Sequence, residues 1–360
     1  MSFSFYTYVI KYFMKKNSLK SIDVISPSLG RRFSGINASM HTVIPEQTKL
    51  TNIAGLGFNL HKDKIPVISF NNFLFGCWRD KWRIWHARRN VDMVVGIIFR
   101  YVFRYKIKLL FTSASQRQHS WFTKFCYHKM DAVIATTKSG GEFLECEYDV
   151  VYHGVNTDKF FPRVKNIKQK KIGFINRIRK QKGAEDFVEA MIKVFSSNPN
   201  SDWIAELYGE TTPKHKEFEE KLKSKIKAAN LEDKIVFKGF VEFNSIPDIY
   251  RTCDVVVCLS HVEGFGLPCL EAMASRAAVV ATRTGVWKEI IKQGENGYLV
   301  DAESPDQVAE KLETLITNDS LREKIAQNGY ELVTSKYKIE NEAQGIQKVY
   351  DRLLNQKNAK

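Results

Sequence analysis

The sequence predicts an α/β protein of two doubly wound, Rossmann-like parallel-sheet domains facing a cleft. Three observations carry this. The 360 residues suffice for two domains at ~150 residues each. Val- and Ile-rich strands alternate with helical segments along most of the chain, the pattern of a parallel sheet covered on both faces. Hydrophobic residues make up 44% and charged residues 26%, a globular and not a disordered composition. The longest apolar runs, VVVCL at 255–259 and AAVVA at 277–281, fall far short of the ~20 residues of a membrane span.

The elements follow in order. The first fourteen residues, MSFSFYTYVIKYFM, lack the basic start, long apolar run and cleavage site of a signal peptide; they read as a floppy leader or a start codon placed too early. Strands are expected at 21–27, 64–70, 92–98, 107–113, 131–137 and 148–154, most of them separated by spacers of helical length. A Pro-plus-Lys stretch at 162–171 joins the halves. Beyond it, strands are expected at 170–175, 203–209, 234–240, 254–260, 278–282 and 296–301. Helices are expected at 183–197, 215–231, 245–253, from Pro268, at 287–292 and at 304–318. The first of these sets Phe187, Ala190, Met191 and Val194 at helical spacing. The last opens with Ser304 and Pro305, a cap followed by proline at the first helical position. The expected domains are 1–162, 163–336, and a C-terminal helix in 337–360 able to cross back to the first domain.

Charge is distributed unevenly. Residues 1–164 carry 24 Lys+Arg against 11 Asp+Glu, and residues 165–360 carry 31 against 29. The first half therefore attracts an anionic partner: nucleic acid, an acidic membrane surface or an acidic substrate. Six scattered cysteines, none in C-x-x-C, read as reduced thiols in a cytosolic protein. Cys and His never cluster like zinc ligands, so no metal or other cofactor is expected.

Two segments suit a phosphorylated, hydroxylated ligand. In SHVEGFGLPCLEAMA (260–274), a strand end leads into Glu263, Gly264, Phe265, Gly266 and Leu267, and then a helix carrying Glu271. Glycines allow close backbone approach, and a helix N-terminus offers N–H groups to phosphate. The two carboxylates can accept from separate sets of hydroxyls, such as a sugar and a ribose. The same spacing also suits a plain strand–loop–helix corner with one solvated and one capping glutamate. In FINRIRKQKGAEDF (174–187), Arg177, Arg179, Lys180 and Lys182 follow a strand and precede Gly183 and a helix. Such a cluster can neutralise a diphosphate without metal, or form a solvated basic loop.

Together these segments resemble the retaining GT-B glycosyltransferases of family 4. The E-x7-E pair Glu263 and Glu271, within E-G-F-G-L-P-x-x-E-A-M-A, is the most specific marker. R-x4-K-G at Arg177, Lys182 and Gly183 is similar to the family's diphosphate clamp, with Asn176-Arg177 where Gly-Arg is usual. HGVNTDKFFP (153–162), FKGFV (237–241) and ENGYLV (295–300) match further stretches. The resemblance implies that Arg177 and Lys182 hold the donor diphosphate and that Glu263 contacts the sugar beside the reacting carbon. It also implies that Glu271 binds the ribose, and that Gly209 and the backbone of Gly264, Phe265, Gly266 and Leu267 face the donor. Absence of D-x-D gives no suggestion of a metal-bridged diphosphate.

The first half would take the acceptor. SPSLGRRFSGIN (26–37) offers Gly30 and Gly35 where the family keeps a Gly-rich loop; CWRDKWRIWHARRN (77–90) interleaves Trp78, Trp82, Trp85 and His86 with Arg79, Lys81, Arg83, Arg88 and Arg89. Rings beside cations suit lipid headgroups, an anionic saccharide or single-stranded nucleic acid, as well as a helix with Trp in the core and Arg in water. His119, in TSASQRQHSW (112–121), departs from the family's T-x-H-D. Gly35, His86, Arg88 and His119 are the acceptor or cleft candidates. These segments also resemble the lipopolysaccharide-core mannosyltransferases of the family. The implied reaction moves mannose from GDP-mannose, with retention, onto an inner-core sugar linked to lipid A, on the cytoplasmic face of the inner membrane. The alternative is the same chemistry with UDP-glucose, UDP-galactose or another anionic acceptor. A nucleic-acid-binding module would leave both donor motifs unexplained, so no nucleic-acid partner is expected.

Overall fold

The computed structural model describes residues 21–31, 35–74, 80–163 and 169–355. The expected leader at 1–14, part of the join, and Cys77, Trp78 and Arg79 lie outside the described residues. The chain divides into two compact units, 1–154 with 339–360, and 155–338.

The first unit runs β1 (Val24–Ser28), α1 (Gly35–Gln47), β2 (Ile53–Gly57), β3 (Val67–Ile68), α2 (Phe70–Leu74), β4 (Arg83–Ala87), α3 (Asn90–Tyr101), β5 (Ile107–Ser113), α4 (Trp121–Tyr127), β6 (Ala132–Ala135), α5 (Lys138–Gly141) and β7 (Asp149–Val150). Its sheet has the order β3-β2-β1-β4-β5-β6-β7, parallel throughout. Neighbouring strand residues feed opposite faces. Ile25, Trp85 and Leu109 join a core under one face, and Val24, Ile84 and Leu110 join the core under the other.

The second unit runs β8 (Lys171–Ile175), α6 (Ala184–Ser197), β9 (Ile204–Tyr208), α7 (Lys216–Ala228), β10 (Ile235–Gly239), α8 (Ile246–Thr252), β11 (Val255–Cys258), α9 (Leu267–Ala274), β12 (Ala278–Thr282), α10 (Trp287–Ile290), β13 (Tyr298–Val300), α11 (Pro305–Thr317) and α12 (Asp319–Lys336). Its sheet order is β10-β9-β8-β11-β12-β13, again parallel. In both sheets the first strand of the unit lies centrally, and the order reverses beside it. Ligands in open α/β sheets gather at that reversal, beyond the carboxyl ends of the strands.

The last helix, α13 (Ile339–Asn355), belongs to the first unit. Ile346, Val349, Tyr350 and Leu353 are buried against α1 and the sheet. Each apolar side chain so covered contributes about 1.5–3 kcal/mol relative to exposure.

Three expectations in the first unit are corrected. Residues 92–98 form the middle of α3 and not a strand. An unbroken apolar run such as MVVGII suits a buried strand and a buried helix equally. Strand β4 lies inside the aromatic, basic stretch and puts Trp85 in the core from a strand. Strand β2 was not foreseen, and 64–70 keeps only two strand residues. In the second unit every expected strand is present, and among the described residues α12 is the one added α-helix.

Candidate functional site

The second unit's sheet reverses between β8 and β11, and the two singled-out segments are the connections that leave those strands. After β8, Asn176 Oδ1 accepts from the Arg177 amide at 2.9 Å, and Arg177 is exposed. Lys180–Lys182 make one 3-10 turn, which ends at Gly183 with φ +76°. A β-carbon at Gly183 would lie 2.2 Å from the Leu259 carbonyl oxygen. Glycine there lets the cationic turn press directly on the chain leaving β11. The His261 amide donates to the Gln181 carbonyl at 3.0 Å, and the His261 ring meets Asp186, in the first turn of α6, at 2.7 Å.

The result is a close pairing of residues 81 positions apart. Lys182 Nζ lies 2.8 Å from Glu263 Oε2, while Glu263 Oε1 accepts from the Gly264 amide at 3.2 Å. Both side chains retain some exposure, 27% and 19%, so a ligand can reach them. Phe265 is buried, and its carbonyl accepts from the Val286 amide at 3.1 Å. Gly266 is left-handed, φ +100°, and no side chain caps the helix that starts at Leu267. Trp287 Nε1 donates to the Gly266 carbonyl at 2.8 Å, with the indole where a β-carbon would be. Uncapped first-turn N–H groups therefore remain available to an anion.

Glu271 sits one turn into α9, hydrogen-bonded to the buried Tyr250 of α8. Burial pushes its carboxyl up to about 7, and the Tyr250 hydroxyl pulls the other way. Gly209 follows β9 and donates to the Gly239 carbonyl at 2.8 Å. Tyr250, Trp287 and His261 were not foreseen. Their signal lies in three dimensions, because each acts by fixing a loop whose own sequence is the conspicuous one.

In the first unit, the connections beyond β1 and β4 leave the corresponding reversal. Arg88 Nη1 donates to Ser26 Oγ at 2.5 Å. Arg89 donates to Asn37 Oδ1 at 2.6 Å and Ser28 Oγ at 3.3 Å. The half-buried Arg88 guanidinium is held below its usual range by burial. Gly35 opens α1, with nothing within 4 Å of a β-carbon.

His86 is different from the expectation. It is fully buried, with Nδ1 2.6 Å from the Tyr350 hydroxyl and Nε2 2.6 Å from Thr112 Oγ1. Burial, reinforced by Arg88, holds its imidazole well below the ordinary range. Both ring nitrogens are engaged inside the protein, so His86 ties the sheet to α13. His119 is partly exposed, 3.4 Å from Ser113 Oγ, and burial followed by Arg117 and Lys124 lowers its pKa.

The family described as Glycosyl transferases group 1 matches residues 155–332. The chain is 38% identical to lipopolysaccharide core biosynthesis mannosyltransferase LpcC of Rhizobium leguminosarum bv. viciae, over 93% of this chain and 98% of that one. The chain belongs to the group 1 glycosyltransferases. It is also 35% identical to lipopolysaccharide core biosynthesis mannosyltransferase LpsB of Rhizobium meliloti, over 93% and 99% of the two chains. Among solved structures, the C-terminal domain of the group 1 protein LpcC from Francisella tularensis is 49% identical. It covers 52% of this chain and all of its own, with a TM-score of 0.50. The family match at 155–332 lies within the second unit, which also carries both singled-out segments. Among the described residues no group of His, Cys, Asp and Glu could hold a metal ion, and no helix is long and apolar enough to cross a membrane.

Proposed function

We propose that this glycosyltransferase moves mannose, with retention, from GDP-mannose to an inner-core sugar of lipid A-linked lipopolysaccharide, at the cytoplasmic face of the inner membrane. The observation that carries the donor half is the Lys182–Glu263 pair at the reversal of the second sheet. Both near full-length relatives bear the lipopolysaccharide core mannosyltransferase name, which supports the donor sugar and the acceptor class.

The chemistry follows from charge. Glycosyl transfer develops positive charge on the sugar ring and negative charge on the departing diphosphate. Arg177 and Lys182 take the diphosphate, and the N–H groups at the start of α9 take its remaining charge. Preorganised donors of this kind are commonly the largest electrostatic contribution to catalysis. Glu263 accepts from sugar hydroxyls beside the reacting carbon, and its bond to Lys182 holds the carboxylate next to the phosphate-binding cation. Glu271 accepts from the ribose. Two cations do the work that a divalent metal performs elsewhere, so the reaction is metal-independent. The first unit, with the excess of cations, receives the phosphorylated acceptor.

Purified protein with a core acceptor should release GDP from GDP-mannose, and should do so faster than it releases UDP from UDP-glucose or UDP-galactose. Turnover of a UDP-sugar alone would overturn the donor assignment. Full activity in both Glu263→Ala and Lys182→Ala would overturn the site.

A further inference from the structure

The fully buried arginines among the described residues carry carboxylates with them. Arg83 pairs with Asp80 and Arg322 with Asp319, at 2.6 Å each. Arg88 does not follow them. It stands half-buried directly after β4, at the reversal of the first sheet, and among the described residues no carboxylate forms an ion pair with it. The acidic groups around it are engaged elsewhere. Asp92 of α3 accepts from the backbone N–H of Leu29 at 3.1 Å and of Arg88 itself at 3.4 Å. Glu342 of α13 accepts from the Gly154 amide at 2.8 Å and meets the His153 ring at 2.8 Å. The Tyr350 hydroxyl is bonded to His86 and Gln47. These groups act on the Arg88 guanidinium from a distance, and burial outweighs them. A desolvated cation without a bonded counter-charge is costly. At a sheet reversal, where ligands gather, the counter-charge can arrive with the ligand.

The guanidinium is also set for that role. Nη1 donates to Ser26 Oγ at 2.5 Å, and Ser26 is fully buried in β1. This bond fixes the orientation of the group. Nε and Nη2 have no partner among the described residues, and neither is sealed from solvent. They share one edge of the guanidinium, where two parallel N–H groups match the two oxygens of a carboxylate or phosphate. Arg89, held on Asn37 Oδ1 at 2.6 Å, adds a second positive charge to the same corner.

We infer that Arg88 is the specificity residue of the first unit: its open edge grips an oxyanion borne by the acceptor sugar, a carboxylate or a phosphate monoester, and so selects an anionic acceptor over a neutral one. The inference deepens the acceptor half of the proposed function and rests on it.

The probes are a water-soluble, delipidated core oligosaccharide, the same saccharide with its carboxylates methyl-esterified, and the same saccharide after phosphatase treatment. Binding to the full chain is read by calorimetry without donor, so the identity of the nucleotide sugar does not enter. The wild type should lose affinity by about 30-fold or more when the gripped oxyanion is removed. A loss on esterification alone identifies a carboxylate, a loss on dephosphorylation alone identifies a phosphate, and either supports the inference. Arg88→Gln should lose about as much on the untreated saccharide, and should then bind treated and untreated forms alike. Arg88→Lys keeps the charge without the fork and should recover part of the loss. GDP-mannose affinity should be the same in all three proteins. The thermal midpoint of Arg88→Gln should match or exceed that of the wild type, because an uncompensated charge is removed.

Three results would overturn the inference: wild-type binding of the untreated saccharide by Arg88→Gln, a lowered midpoint in Arg88→Gln with all three saccharides weakened in equal proportion, or wild-type affinity that neither treatment changes. Absence of saccharide binding by the wild type is a different failure. It ends the acceptor reading and the inference with it, and leaves the donor site to be judged by GDP release.

Discussion

The two units share a strand order and differ in what stands at its reversal. In the second unit the strands β8 and β11 end in a cation and a carboxylate that meet at 2.8 Å and remain reachable. In the first unit the strands β1 and β4 end in a Ser–Asn–Arg network, with His86 sealed beneath it by Tyr350 and Thr112. One topology therefore supplies a charged, partly exposed corner in one case and an internally hydrogen-bonded one in the other. The sheet fixes where a ligand can sit, and the loops decide what it is.

The comparison can be broken most sharply at the charged corner. Glu263→Ala and Lys182→Ala should each lower kcat/KM by about 100- to 1,000-fold, the range for loss of one preorganised group, with the thermal midpoint nearly unchanged. Steady-state GDP release and calorimetry check both parts. A smaller effect is expected from Gly183→Ala. Its β-carbon meets the Leu259 carbonyl at 2.2 Å, in a left-handed conformation, so denaturant titration should show a loss of about 1–3 kcal/mol.

Glu271 sharpens the same corner through pH. Its folded pKa of about 7 lies above the ordinary 4.5. Between these values the folded protein binds the proton more tightly than the unfolded chain. This contribution to stability is present at acid pH and is lost as pH rises through about 7. Glu271→Gln should gain on the wild type by roughly 2–3 kcal/mol between pH 5 and 8, read as a pH series of unfolding curves. In the first unit, Tyr350→Phe leaves Gln47 and His86 without a shared partner. It should cost about 1 kcal/mol of stability and leave donor affinity unchanged. The smallest effect expected is that of a chelator, which should leave GDP release unaltered.

The same contrast explains what could be read from the residues. Strands β8, β9, β11 and β12 are short apolar runs that end at Gly- or Ser-containing loops, so their positions and the candidate site at their ends are legible. Strand β4 is not, because Arg83 and His86 interrupt it. Arg83 is buried only because it donates to the Ile22 carbonyl at 2.9 Å and to Asp80 at 2.6 Å. His86 reads as a site residue because the hydroxyl that satisfies it belongs to Tyr350, 264 positions away. Helix α12 carries Asn328-Gly329 in its middle, a turn-like pair that hides the helix. Gly329 is where α12 packs closely on Met273 of α9.

The most direct test is calorimetric titration of GDP-mannose into the wild type, Lys182→Ala and Tyr350→Phe under one buffer. Affinity that falls tenfold or more in Lys182→Ala and holds in Tyr350→Phe places the activated sugar at the reversal of the second sheet. Affinity that holds in Lys182→Ala and falls in Tyr350→Phe would contradict that placement.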